Sequence, residues 1–335
     1  MVMLIAEIGV NHNGSIEILE NLIDAAKESG AQACKFQTFK ADSLAKKDTP
    51  KVAYQLSTSD VAETHWEMLK RLEMSNEMHQ IAMKKCKALD LEFISTPYDP
   101  DSVDYLADLG VKIIKTASAD LVDHRIHKKI AHHGMKPLVA VGMASMDEIR
   151  NVLKIYENAK SKPTLLHCVS NYPCSYESIN LRCMITLANE FGCEVGYSDH
   201  SRDSKAAVLA IALGATVIEK HFTLDKNMPG PDHKASSTPE EFKNLSGSIE
   251  VASLILGSPE KKLRDEEIAM LSISRKSACL KEFLGKGMKI SSSNLTMMRP
   301  GGGINGDDFY NLIGRTINKN LDAGHIICWD DIEKY

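Results

Sequence analysis

Two lysines interrupt apolar runs of this 335-residue chain, Lys35 within 33–37 and Lys115 within 113–118. A lysine so placed pairs with a core carboxylate or carries its ammonium outward on an apolar stem. With Thr96 and Ser118 at nearby run ends, the two also compose an anion pocket, in which two ammonium groups and two hydroxyls hold a phosphate or a carboxylate. His200 and His221 close two further runs, 21 residues apart. Imidazoles on adjacent strands can share a divalent metal, with waters completing the shell. Glu7, near the end of the first run, can act as a base or orient a water, and can equally pair with Lys35; the two roles are compatible. Asp232 and His233 follow in the turn Pro229-Gly230-Pro231-Asp232-His233. His124, His127, His132 and His133 lie in a polar helical stretch and read as solvated surface.

Such distant residues meet only if the elements carrying them converge. Eight short apolar runs, at 3–9, 33–37, 91–97, 113–118, 137–142, 164–170, 194–199 and 215–221, are β-branched-rich and nearly continuous, as parallel strands buried on both faces are. Helical patterns lie between most of them, at 15–29, 76–89, 100–109, 146–158, 180–191 and 204–213. In the first, Ser15 is the predicted N-cap and Gly30 the stop. Eight β-α units over about 250 residues have the length and rhythm of a (β/α)8 TIM barrel. A doubly wound open sheet is the runner-up, weakened by the lack of Gly-x-Gly-x-x-Gly after the first strand. In the barrel, strand C-termini converge on one face. Seven of the eight then present polar residues, among them Gln37, Tyr98, Ser170, Tyr172, Ser198 and Glu219 besides those above. So many polar ends require a polar ligand, because unpaired buried charge is costly.

Two segments break the rhythm. The stretch 40–73 is long and polar, and is predicted to be a functional loop or lid. After a helical pattern at 239–256, the charged stretch 257–267 reads as a linker, and short runs with turn signals follow. The predicted organisation is a barrel over 1–265, a linker over 266–274 and a small β-rich domain over 275–335.

Composition narrows the partners. The hydrophobic fraction of 43% and charged fraction of 25% are those of a globular chain. A net charge of −5 argues against broad electrostatic binding to nucleic acid or an anionic membrane. The longest uncharged apolar stretch, 206–218, is too short for a span. The start, Met1-Val2-Met3-Leu4-Ile5-Ala6-Glu7, has no basic region before its apolar run and reads as a strand rather than a signal peptide. The eight cysteines form no C-x-x-C, and with no export signal they are expected to be reduced core residues of a cytoplasmic protein.

Ordered motifs carry a resemblance over the whole chain. Ile5-Ala6-Glu7-Ile8-Gly9-Val10-Asn11-His12-Asn13-Gly14, Lys35-Phe36-Gln37-Thr38-Phe39-Lys40-Ala41, Ser95-Thr96-Pro97, Gly196-Tyr197-Ser198-Asp199-His200, Glu219-Lys220-His221-Phe222-Thr223 and Gly230-Pro231-Asp232-His233 are similar to those of the bacterial sialic acid synthases. That group makes the nonulosonic acids N-acetylneuraminate, legionaminate and pseudaminate. The tail, with Arg299-Pro300-Gly301, resembles their antifreeze-like (SAF) domain.

The resemblance implies condensation of phosphoenolpyruvate with an N-acetylated hexosamine such as N-acetylmannosamine, releasing phosphate. It implies manganese or magnesium on His200 and His221. Phosphoenolpyruvate contacts fall on Lys35, Thr96, Lys115, Ser118, Ser170 and Ser198. Sugar contacts fall on Glu7, Gln37, Tyr98, Asp120, Tyr172, Asp232 and Arg299, with Glu7, Lys35 and Lys115 as the catalytic set. Arg299 would reach a partner subunit's site, implying a domain-swapped homodimer. N-acetylneuraminate is the first product expected and diacetyllegionaminate the second, with Ala53-Tyr54-Gln55 fitting both subgroups; pseudaminate ranks behind. Three positions depart from the group's pattern. Ser118-Ala119-Asp120 replaces Ser-Gly-Glu, Ala140 lacks a usual hydroxyl, and Ser170 stands where Asn or Thr is common. Two other readings compete. A synthase acting on a phosphorylated aldose would need an arginine clamp that the strand ends lack, and a degenerate barrel would bind sugar without turnover.

Overall fold

The computed structural model describes residues 2–51 and 63–334. The middle of the predicted 40–73 loop and the Ala53-Tyr54-Gln55 motif lie outside the described residues. The chain divides into two compact units, Met1–Gly257 and Ser258–Tyr335.

In the first unit, β1 (Met3–Gly9), β2 (Ala33–Thr38), β3 (Glu92–Pro97), β4 (Ile113–Thr116), β5 (Lys136–Ala140), β6 (Thr164–His167), β7 (Glu194–Asp199) and β8 (Val217–His221) form a closed parallel barrel in chain order. β1 closes it by pairing with β8, in the register Glu7 to His221. The predicted eight strands are all present. Several end earlier than expected, β4 because Ser118–Asp120 turns into a 3-10 helix. Helices follow the strands as the capping signals require. Ser15 accepts from the Ile18 amide to open the helix Ile16–Glu28, which buries Leu19, Leu22, Ile23 and Ala26 against the barrel.

The strands carry apolar residues on both faces, and the alternation sorts two cores. Leu4, Ala6, Ile8, Cys34, Phe36, Val139, Leu165 and Ile218 face the helices. Ile5, Ala33, Ile94, Leu138, Leu166 and Val217 fill the barrel interior. Gly196 belongs to this inner layer because a Cβ there would come within 2.6 Å of Leu166 Cδ2 and of the Val217 carbonyl.

Two expectations are corrected. His127 is fully buried rather than solvated, with Nδ1 2.9 Å from Tyr156 Oη. It shares the inward face of the helix His124–His133 with Ile126 and Ile130, so its neighbours in space are apolar although its neighbours in sequence are charged. The predicted linker 266–274 is instead a helix, Asp265–Ser274, within the second unit, and the irregular segment is 258–264.

The second unit has its own core, including Ala278, Leu280, Ile290, Leu295, Leu312, Ile317 and Ile327. Its regular β-structure is one antiparallel pair, β9 (Ser277–Leu280) with β10 (Leu295–Met298), plus isolated bridges such as Leu284 to Leu321. Apolar runs of only a few residues, broken by turns, sustain no longer strands. Among the described residues no helix is long and apolar enough to cross a membrane. All eight cysteines are free thiols; five are buried and Cys328 is exposed.

Candidate active site

The inner layer changes chemistry one pleat along each strand. Two residues after Ile5, Ala33, Ile94, Ile113, Leu166, Gly196 and Val217 come Glu7, Lys35, Thr96, Lys115, Cys168, Ser198 and Glu219. The period of two keeps them pointing inward. All seven line one cavity of about 690 Å³ at the C-terminal end of the barrel. A further pleat adds Gln37, Tyr98, Ser170, His200 and His221 to its wall, with Ser118, Tyr172 and Asp232 from the loops.

The lower layer is a charge-balanced network. Lys35 Nζ lies 2.8 Å from Glu7 Oε2, 3.9 Å from Glu219 Oε2 and 2.9 Å from Thr96 Oγ1. Lys115 Nζ lies 2.9 Å from Glu219 Oε1, which also accepts from Ser198 Oγ at 2.9 Å. All four charged groups are nearly inaccessible to solvent. The lysines therefore pair with core carboxylates and also face the cavity. Burial pushes Glu7 above the usual carboxylate range, and Lys35 offsets this only in part. Burial acts on Glu219 in the same direction, but Lys115, Lys35 and the bonds from Lys115 and Ser198 outweigh it and hold its carboxyl low. Two carboxylates on neighbouring strands are thus driven apart, one to stay ionised and one to exchange a proton near neutrality.

Above this layer the His200 and His221 rings stand 5.7 Å apart, and Tyr172 packs against both, 4.1 Å from His200 and edge-on 5.5 Å from His221. His200 Nδ1 faces the Val169 carbonyl at 2.8 Å, so it carries the hydrogen and leaves a lone pair on Nε2. Burial holds His200 down to about 4 and His221 well below its ordinary value, so both are neutral. Two neutral imidazoles, one fixed from behind by a carbonyl, suit a divalent ion. Among the described residues no third His, Cys, Asp or Glu joins them in a metal-holding group. An ion held here would keep positions open to ligand and water.

Thirteen of the fifteen predicted site residues therefore line one cavity. Asp120 does not. It ends the 3-10 turn Ser118–Asp120, and its carboxyl, raised to about 6 by burial and by Asp123, lies outside the lining. Arg299 belongs to the second unit, where its Nε donates to the Ser274 carbonyl. The predicted 40–73 loop contributes Leu44, Ala45, Lys46, Thr49, His65, Met68, Leu69 and Leu72 to the wall.

Three contributors carry no assigned role in the sequence reading. Glu219 stood among the strand-end residues, but its part as counter-ion to Lys115 appears only when β8 returns beside β1. Cys168 Sγ lies 3.0 Å from Ser118 Oγ. Gly142 packs directly against these groups, since a Cβ there would sit 2.8 Å from Ser118 Oγ and from Ser170 Oγ and 2.9 Å from Cys168 Sγ. The inward spacing of two could have found Glu219 and Cys168; nothing local marks Gly142.

Comparison with known proteins agrees with this geometry. The NeuB family matches residues 22–261. The N,N'-diacetyllegionaminic acid synthase of Legionella pneumophila is 44% identical, covering 98% of this chain and 94% of that protein. The enzyme of the same name from Campylobacter jejuni is 40% identical over 97% and 98%. The crystal structure of the N-acetylneuraminic acid synthetase of Leptospira borgpetersenii superposes with a TM-score of 0.73 at 30% identity, covering 81% of this chain and 90% of that one. Fold, motif order and matched length point one way: the chain belongs to the NeuB family of sialic and related nonulosonic acid synthases.

Proposed function

We propose that the protein condenses phosphoenolpyruvate with an N-acetylated hexosamine and releases phosphate. The observation that carries this is the pair of buried lysines beneath two neutral imidazoles in one cavity. Lys35 and Lys115, with Thr96, Ser118, Ser170 and Ser198, hold the phosphate and carboxylate of phosphoenolpyruvate. Gln37, Tyr98, Tyr172 and Asp232 hold the open-chain sugar. C3 of phosphoenolpyruvate attacks the aldehyde carbon and leaves positive charge at C2. Water adds at C2 and C–O cleavage expels phosphate. Glu7 takes the proton of that water, a task suited to a carboxylate whose pKa is raised by burial. A divalent ion, manganese or magnesium, on His200 and His221 would supply Lewis acidity toward the aldehyde oxygen.

The identity of 44% and 40% to two diacetyllegionaminic acid synthases favours a diacetamido hexose over N-acetylmannosamine as the sugar. Phosphate release and product mass, measured with each hexosamine in the presence of manganese, test the reading. It fails if no hexosamine yields phosphate. Binding of sugar without turnover would instead favour a degenerate barrel.

Chelation is expected to abolish turnover, and added manganese or magnesium to restore it. Calorimetric binding of manganese is expected to vanish in His200→Asn/His221→Asn. Gly142→Ala is expected to raise the Michaelis constant for phosphoenolpyruvate at least about tenfold, because the new methyl crowds the Ser118 and Ser170 hydroxyls and the loss of even one bond to a charged ligand costs about 1.5–3 kcal/mol. An unchanged constant for phosphoenolpyruvate would remove those hydroxyls from its site.

The second unit fits the role of an antifreeze-like (SAF) domain that lends Arg299 to a partner subunit, making a domain-swapped homodimer. Its helix Asp265–Ser274 buries no residue and leaves Ile268, Met270 and Ile273 more than half exposed. In the first unit, Leu254 and Ile255 at the end of the helix Pro239–Leu256 are 81% and 78% exposed. Large apolar side chains this exposed call for a cover, which a second copy would supply.

A further inference from the structure

Asp232 lies on the loop after β8, and two hydrogen-bond chains from the loop after β1 converge on it. In the first, Asn11 Nδ2 donates to the Phe222 carbonyl at 2.8 Å and to Ser236 Oγ at 2.9 Å, and Ser236 Oγ donates to the Asp232 carbonyl at 2.7 Å. In the second, Asn13 Nδ2 reaches the Pro229 carbonyl at 2.9 Å and His233 Nε2 at 3.1 Å.

Proton directions in the second chain are determined by its far end. The Asp225 carbonyl can only accept, so Thr223 Oγ1 donates to it at 3.1 Å. Thr223 must then accept from His233 Nδ1, 2.6 Å away, which leaves a lone pair on Nε2 for the Asn13 amide. Burial holds His233 down to about 4, so the imidazole stays neutral as this order needs. Asn11, His12, Thr223 and His233 are all fully buried. The packing is close: a Cβ on Gly230 would fall 2.7 Å from the His233 ring and 2.9 Å from Asn13 Oδ1. Asp232 is thus held at its own carbonyl by one chain and at the residue after it by the other, and both begin on asparagine amides of one loop.

We infer that Asn11 and Asn13 are positioning residues for sugar binding, acting through Ser236 and His233 to fix Asp232 against the cavity. The inference rests on the reading of Asp232 as a sugar contact. Asn→Asp changes keep the shape and remove the donor, and Asn13, at φ 52°, occupies a backbone region that aspartate also tolerates.

The test compares Michaelis constants for the hexosamine that supports turnover and for phosphoenolpyruvate in Asn11→Asp, Asn13→Asp and Ser236→Ala, each alone and combined with Asp232→Asn. The sugar constant is expected to rise tenfold or more while that for phosphoenolpyruvate stays within twofold, and the rise is expected to disappear in the Asp232→Asn background. If Asn11→Asp fails to fold, the half-buried Asn13 and the Ser236 hydroxyl carry the test. Equal changes in both constants, or effects that multiply with Asp232→Asn, mean a merely structural role and overturn the inference. A sugar constant unmoved by Asp232→Asn alone instead removes Asp232 from the sugar site, and with it the basis of the inference.

Discussion

Glu7→Gln is expected to lower kcat by about 10²–10⁴, the usual worth of a positioned proton-transfer group. Phosphoenolpyruvate binding, measured by calorimetry, is expected to stay as tight or to tighten, because the change removes a negative charge 2.8 Å from Lys35. The isostere keeps the shape of the site, and Glu219 remains 3.9 Å from Lys35 as a counter-ion. The acidic limb of the wild-type rate profile is expected above the range of an ordinary carboxylate, since burial raises Glu7 and its base form appears only as pH passes that raised value. The limb is expected to be lost in the variant. A kcat within threefold of wild type would remove Glu7 from the proton path.

Lys115→Met tests the other half of the network, and its stability effect separates from its functional one. The substitution leaves Glu219 buried with its nearest cation gone. Breaking a buried pair from one side costs about 3–5 kcal/mol. Chemical denaturation is expected to show that loss, together with no measurable phosphate release. Lys115→Met/Glu219→Leu replaces both charges by apolar groups. Such exchanges are neutral or stabilising by about 1–4 kcal/mol, so the double variant is expected to regain wild-type stability and remain inactive. Recovery of turnover along with stability would mean that Lys115 serves only to neutralise Glu219.

The barrel was legible because burial on both faces leaves a simple signature, eight nearly continuous apolar runs at helix-length intervals. The site was legible for a related reason: polar residues are rare in such runs, so Lys35, Lys115, His200 and His221 stood out. What stayed hidden depends on closure. Glu219 reads as one more polar strand end until β8 returns beside β1 and brings it to Lys115. Asp120 was placed in the site on the strength of its motif, but the 3-10 turn after β4 carries it out of the cavity lining. His127 reads as solvated because its helix is mostly charged, yet it belongs to the one face, shared with Ile126 and Ile130, that turns inward. Asp265–Ser274 reads as a linker in sequence because its first turn is acidic, and it is a helix that buries no residue.

The pairing of β1 with β8 also sets an order of events during synthesis. Glu7 and Lys35 leave the ribosome early, whereas Glu219 and His221 arrive only with the last strand. Until then Lys115 lacks the carboxylate that bonds it and β1 presents an open edge, so a nascent chain stalled before β8 exposes both that lysine and a sticky strand. Chains released at that stage are therefore expected to depend on chaperones, and no truncation short of residue 221 can assemble a working centre.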